Sequence, residues 1–350
     1  MKRRSFLQVV GTAAGGLAVL RQGTVIAETA PAASLERVNG MPHRVLGRTG
    51  RKVSIIVFPG LALTQQGQEE GTRGLHRAFD AGINYFDVAP AYGNGDAEVK
   101  MGVGLQGLDR SKIFLACKTK KRDAQGAREE LERSLQRLKT DYFDLYQLHH
   151  VVTVAEANQA LAPGGALETI LKAKEEGKVR HIGFSAHSTN GALAVMKGFN
   201  FDTVMFPLSF VDYFVRGFGK DVIDLAHQQG AAVVAIKPMS CGAWPEGATR
   251  TRQWWYRSAE TKQEVESVLR FTLSLKGVVA GVPPSFLDLT DRAIEAARDF
   301  RELALSELND LVKFAWECPP LFKREDEMAA IDRRHSDGAN PYAHCHAEFV

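Results

Sequence analysis

The sequence predicts an α/β fold, a (β/α)8 TIM barrel with an N-terminal β-hairpin and long loops at its C-terminal mouth. Short β-branched or aromatic runs alternate with helical periods, and eight such units fit within about 240 residues. No GxGxxG loop joins an early strand to the helix after it, as a doubly wound open sheet would require; the one such spacing, Gly102-x-Gly104-x-x-Gly107, falls just before the strand expected at Ile113.

The strands are expected at Ile55–Pro59, Tyr85–Ala89, Ile113–Lys118, Phe143–His149, His181–Ala186, Thr203–Ser209, Ala232–Met239 and Val278–Pro283. The helices between them are expected to begin near Gly71, Ala97, Ala124, Leu167, Asn190, Lys220, Lys262 and Leu287. Arg128 to Lys139 illustrates the pattern: Leu131, Leu135 and Leu138 make one apolar stripe, with Arg, Glu and Gln opposite. Gly82, Gly177 and Gly230 fall where helices end and the chain turns back towards a strand.

The N-terminus reads as an address. Lys2-Arg3-Arg4-Ser5-Phe6-Leu7-Gln8 precedes a Gly- and Ala-rich apolar run from Val9 to Leu20, and Val25-Ile26-Ala27 supplies a small-residue cleavage site. The run is too short and too rich in glycine for a permanent membrane span. It resembles a twin-arginine export signal, which implies folding before transport, the export machinery as a partner, and a periplasmic destination. Without residues 1–27 the chain loses four of its 44 basic residues and none of its 41 acidic ones, so the mature protein is near neutral. That balance gives no sign of a nucleic-acid or membrane partner. The expected organisation is a signal at 1–27, a flexible Ala- and Ser-containing segment at 28–42, the barrel at 43–310 and a C-terminal extension at 311–350. The four cysteines include no CxxC pair, so no metal site is signalled, and a Cys318–Cys345 bridge is at most a weak option.

Barrel chemistry sits on the loops that follow the strands. Asp87 ends the second expected strand, Tyr92 stands in the loop after it, Lys118 ends the third and His149 the fourth. Alternation puts Lys118 inside the barrel and Cys117 outside, as a small buried hydrophobe, and turns His150 away from His149. Singly, these residues read better as a structural ion pair, a loop aromatic and a core histidine. Their convergence on one mouth favours chemistry.

The chain resembles the aldo-keto reductase family from about Arg44 to Arg301. The resemblance is carried by the entry hairpin Arg44-Val-Leu-Gly-Arg-Thr-Gly-Arg-Lys-Val-Ser, the spacing Asp87-x-x-x-x-Tyr92-Gly93, and Ser134-Leu-Gln-Arg-Leu-Lys-Thr-Asp-Tyr-Phe-Asp-Leu-Tyr-Gln-Leu-His149. It implies a catalytic tetrad of Asp87, Tyr92, Lys118 and His149, and NADP or NAD lying across the mouth. In such a site Tyr92 is the general acid/base for a carbonyl oxygen. Lys118 favours its ionised form, Asp87 keeps Lys118 charged, and His149 orients the substrate oxygen.

The cofactor positions depart from the family pattern. Ser185-Ala186-His187 stands where Ser-Asn is usual, Met205 replaces a Gln, and Ile236 replaces a stacking aromatic. Ser185 and His187 are expected to hold the carboxamide, while the stretch Lys237-Pro238-Met239-Ser240-Cys241-Gly242 is expected to bring its backbone N–H groups, Pro238 excepted, to the pyrophosphate. Val282-Pro283-Pro284-Ser285 lacks a basic residue for a 2′-phosphate and leaves Arg292 as the nearest cation, which weakens the preference for NADP. The long loop from Ser240 to Thr261 carries Trp244, Trp254 and Trp255 as candidate substrate contacts, with Arg250, Arg252 and Arg257 nearby. It serves either as a substrate-stacking lid or as a self-packed cover.

These features lead to an exported oxidoreductase acting on an aldehyde, ketone or sugar-like carbonyl. A redox sensor with little turnover and a redox-neutral epimerase or lyase acting through a keto sugar are the alternatives. Changing Arg3→Lys together with Arg4→Lys is expected to leave folded precursor in the cytoplasm. Fractionation that finds this double variant exported removes the twin-arginine assignment.

Overall fold

Inward and outward side chains along the strands build two apolar layers in the computed structural model, which describes residues 35–322. In β6 (Phe114–Thr119), Phe114 and Ala116 join the cluster inside the barrel, while Leu115 and Cys117 join the layer between strands and helices. Lys118 therefore points inward, as the alternation predicts.

The hairpin strands β1 (Arg37–Val38), β2 (Met41–Val45) and β3 (Lys52–Ser54) come first. The barrel then runs β4 (Phe58–Pro59), α1 (Gln68–Asp80), β5 (Tyr85–Asp87), α2 (Asp96–Gly104), β6, α3 (Ala124–Leu138), β7 (Phe143–Val151), α4 (Val154–Leu161), α5 (Ala166–Glu175) and β8 (Val179–Ala186). It continues through α6 (Thr189–Gly198), β9 (Thr203–Pro207), α7 (Phe210–Arg216), α8 (Lys220–Gln229), β10 (Ala232–Ile236), α9 (Lys262–Ser274), β11 (Val278–Val282), α10 (Leu287–Arg298) and α11 (Leu305–Glu317). Strands β4 to β11 form one eight-stranded parallel sheet in sequence order. Its two edges meet where Val57 N donates to Gly281 O at 3.0 Å and Gly281 N donates to Ile55 O at 2.9 Å. The barrel expected from the sequence is thus the barrel found.

The hairpin is its floor. Leu46 and Val53, both fully buried, pack against Tyr85, Phe114, Leu145 and Val234 in the interior cluster. Arg44 Nη1 donates to the carbonyls of Leu273 and Val278, each at 2.8 Å, and ties the hairpin to the last unit. Residues 37–42, read from composition as part of a flexible segment, are instead β1 and the start of β2. The burial of Met41 and the 2.9 Å contact of His43 Nε2 with Gly82 O fix them in place. The proposed signal at 1–27, the rest of the 28–42 segment up to Ser34, Cys345 and the extension beyond Phe322 lie outside the described residues.

Three helices go beyond the expected set. α4 opens on a Thr153–Glu156 capping box. α7 begins at Ser209, whose side chain accepts from Asp212 N, and it buries Phe210, Val211 and Tyr213 with no clear polar stripe to announce it. α11 straddles the boundary expected at 310, because Glu307 at its start receives Arg270 and Arg301. β7 also carries a register shift between Leu148 and Val151, with His150 at φ +58°. That bulge interrupts the alternation next to His149.

Gly82 is where the hairpin meets the barrel. Its φ is +94°, and an added Cβ would stand 2.0 Å from Val38 O and 2.9 Å from Met41 Cβ. Gly50 shares the left-handed backbone, at φ +68°, but has nothing within 4 Å. Gly50→Ala is therefore expected to cost about 1 kcal/mol from backbone strain alone, and Gly82→Ala about 2 kcal/mol or more because the hairpin must also move. Urea unfolding of the two variants checks the order.

Candidate active site

A lysine buried at the end of a barrel strand needs a counter-ion within reach, and the neighbouring strand supplies it. Lys118 is fully buried and Asp87 nearly so. Lys118 Nζ donates to Asp87 Oδ2, to Val88 O at 3.2 Å and to Tyr92 Oη at 3.1 Å. Gln147 Nε2 donates to the second Asp87 oxygen, Oδ1, at 3.3 Å. The His149 ring meets the Tyr92 ring edge-on, with centroids 5.7 Å apart and planes at 86°. Three adjacent strands and one loop thus bring all four predicted residues to one place.

Their charges are coupled. Burial works against the Lys118 charge, yet Asp87 and Tyr92 together hold its pKa above the ordinary lysine value. Burial raises Asp87, against the pull of Lys118 and the hydrogen bond from Gln147. Burial also raises Tyr92; Lys118 lowers it, as the sequence predicts, and Asp87 pushes it back up. The net direction is upward, because desolvation outweighs the ammonium. Cys117 is fully buried, its thiol pushed far up by the same desolvation, so it is no nucleophile.

These groups line a cavity at the barrel mouth that is partly open to solvent. Ser185, His187 and Lys237 line it as well, with Met205, Ile236 and Val282 as apolar wall. Lys237 adopts φ +61°, and its Nζ lies 3.1 Å from His187 Nε2 and 5.1 Å above the Trp255 ring. Lys237 therefore reaches the cavity with its side chain. Ser185 Oγ accepts from His150 N at 2.8 Å, and the His150 ring lies 4.3 Å from that of His187 without lining the cavity.

The other expected cofactor positions stay out of the lining. Met239 is buried in the core, and Pro238 packs near Gly281, 3.3 Å from the point where a Cβ would stand. Gly242, at φ +85°, faces Pro319. Three amides of the stretch expected at a pyrophosphate are engaged internally: Ser240 N donates to Lys237 O, Cys241 N to Arg257 O and Gly242 N to Ser240 Oγ. Arg292 is exposed on α10 and donates to Glu260 O.

The long loop divides by residue type. Trp254 and Trp255 line the cavity, and so does Tyr256, an aromatic of the same loop. Trp244 does not; its Nε1 donates to Trp254 O at 2.8 Å. Arg252 pairs with Glu260 and Asp288, and Arg257 with Glu264. Gln147 was also missed, although it stands two residues before His149 on the same strand and period-2 alternation would have found it.

The sequence model of the aldo/keto reductase family matches residues 59–315. The chain belongs to this family. L-Galactose dehydrogenase of Arabidopsis thaliana is 28% identical over 232 residues, covering 63% of this chain and 71% of the plant protein. The holo form of an aldo-keto reductase from Bacillus halodurans superposes with a TM-score of 0.65 at 24% identity, covering 78% of this chain and 96% of its own. An aldo-keto reductase from Klebsiella pneumoniae in complex with NADPH gives 0.61 at 21% identity, covering 81% and 97%. Both solved structures share the aldo/keto reductase barrel.

The ion pair yields a test that needs no substrate. Lys118→Met leaves a buried carboxylate without its cation and is expected to cost about 3–5 kcal/mol. Adding Asp87→Asn is expected to recover much of that loss. Equal unfolding midpoints for the parent and the single Lys118 variant would show that the pair does not hold the strands together.

Proposed function

We propose that this aldo/keto reductase is an exported NAD(P)-dependent oxidoreductase in which Tyr92 is the general acid/base for a carbonyl or alcohol oxygen. The observation that carries the reading is the 3.1 Å contact between Tyr92 Oη and Lys118 Nζ, with Asp87 behind it and the cavity in front.

The cavity residues suit a nicotinamide nucleotide. Met205, Ile236 and Val282 offer apolar wall for a ring, and Ser185, His187 and Lys237 offer polar atoms beside it. When bound, the nicotinamide supplies or accepts the hydride. Tyr92 Oη gives its proton to the developing alkoxide in reduction and takes it back in oxidation. Lys118 supports the phenolate left behind, and Asp87 keeps Lys118 charged and in place. His149, edge-on to Tyr92, orients the substrate oxygen. Arg292 lies off the cavity, and the choice between NAD and NADP does not rest on it.

Trp254, Trp255 and Tyr256 make the substrate wall aromatic, while Arg252 and Arg257 are committed to carboxylates of the protein. Recognition by stacking on a sugar or aromatic ring follows from that division. The sugar substrate named in the Arabidopsis relative supports the sugar-like choice. The N-terminal twin-arginine pattern supports export to the periplasm.

One experiment in two arms tests the reading. Denaturing the purified mature protein, or titrating it with NADH and NADPH, identifies the nucleotide it takes; failure to bind either sinks the oxidoreductase assignment. Tyr92→Phe is expected to keep that binding while slowing turnover by roughly 10²–10⁴. Near-normal turnover in this variant would refute the role of Tyr92 and favour the sensor with little turnover.

A further inference from the structure

Gln147 stands behind the catalytic ion pair and belongs to no assigned role. It is fully buried on β7, in register with Lys118 on β6 and two residues before His149 on the same face. Its Nε2 donates to Asp87 Oδ1 at 3.3 Å, while Lys118 takes Oδ2. The two oxygens of one carboxylate are thus divided between a cation and a neutral amide.

A structural explanation would have the amide knit several elements together. The opposite holds: Gln147 Oε1 is buried and finds no hydrogen-bond partner among the described residues. An amide half-satisfied in a barrel core is costly compared with an apolar side chain of the same size. What it gains is the one bond to Asp87.

That bond bears on Tyr92. Asp87 raises the pKa of Tyr92 and Lys118 lowers it, so any group that stabilises the carboxylate charge weakens the opposing influence. The Gln147 N–H donates to Asp87 Oδ1 and so offsets part of the carboxylate's charge. It also favours the ionised carboxylate, which holds Lys118 charged.

We propose that Gln147 is a positioning residue for proton transfer, holding Asp87 Oδ1 so that Oδ2 stays on Lys118 and offsetting part of the carboxylate charge that acts on Tyr92. This rests on Tyr92 being the acid/base group. Without the amide, the proton affinity of Tyr92 rises and fewer molecules carry the phenolate that alcohol oxidation uses.

The test compares kcat/KM for alcohol oxidation in Gln147→Met, Gln147→Glu, Tyr92→Phe and the Gln147→Met/Tyr92→Phe double variant. Gln147→Met keeps the volume and removes the donor. Its expected loss is about tenfold at neutral pH, the effect of about one pKa unit on Tyr92, expressed mainly in kcat. In the Tyr92→Phe background the same change should cost almost nothing further, since both act on one proton. In Gln147→Glu the introduced carboxyl, while protonated, still donates to Asp87. Activity relative to the parent should be near normal at pH 5.5 and fall as that carboxyl ionises and adds negative charge beside Asp87.

An equal loss from Gln147→Met in both backgrounds, or a Gln147→Glu profile parallel to that of the parent, overturns the assignment. If the parent itself turns over no alcohol or carbonyl, the oxidoreductase reading fails separately. The Gln147 role is then decided by NMR titration of 13C-labelled tyrosine rings, with Tyr92→Phe giving the assignment. An upward-shifted Tyr92 titration in Gln147→Met supports the role, and an unshifted one overturns it.

Discussion

A single buried cation organises the mouth of this barrel. Lys118 has no exposed surface, and an ammonium withdrawn from water is tolerated only when a carboxylate and hydrogen-bond acceptors replace its hydration. Asp87 and the Val88 carbonyl on the neighbouring segment provide them. The requirement reaches back into the fold, because β5 and β6 must lie side by side, parallel, with Asp87 opposite Ala116, for the two side chains to meet. A slip of one residue would turn Lys118 into the apolar layer occupied by Cys117 and Leu115. The pair therefore fixes register as well as charge.

The portion of the site built on strands was legible in the sequence, since alternation and the position of strand ends determine which side chains share the mouth. Asp87, Lys118 and His149 follow from those two rules, and Tyr92 from its distance beyond Asp87. Gln147 obeys the same rules and was still overlooked, because a neutral amide carries no charge pattern to draw attention. His150 illustrates the limit of alternation: its φ of +58° and the shifted register beside it come from the β7 bulge, which no local sequence signal announces. The barrel units were legible too, with helix starts within a few residues. α7 was not, because its apolar residues form no stripe, and α11 was not, because it is held by Arg270 from a distant helix.

The cofactor-side residues resisted prediction for a different reason. Lys237 was expected to offer its backbone amide, and its ammonium stands beside His187 on the cavity wall, a side-chain placement that local sequence does not announce. The same holds for the loop from Ser240 to Thr261, where composition alone did not separate the three tryptophans from one another or settle the place of the arginines beside them. The ion pairs of Arg252 and Arg257 and the packing of Trp254 on Phe286, centroids 5.3 Å apart, sort them into outer braces and inner wall. Acidic partners on α9, on α10 and within the loop itself decide this division. A fixed charged wall on β5 to β7 and a loop-built aromatic wall opposite it fit the separation of chemistry from recognition that this barrel permits.

The upward shift of Tyr92 follows from the same pair. Asp87 and Lys118 together carry no net charge, so a proton leaving Tyr92 would leave one uncompensated negative charge in a poorly solvated place. Lys118 cannot supply its full effect to the phenol while Asp87 holds its other side, and Asp87 itself opposes ionisation. The resting arrangement is therefore a neutral phenol beside a neutralised pair, a hydrogen-bond donor aimed at the cavity. Such a site stabilises charge on an incoming oxygen more readily than it generates charge on its own. Any change that unbalances the Asp87 side, from Gln147 or from Lys118, is felt first in the proton on Tyr92 and only afterwards in the fold.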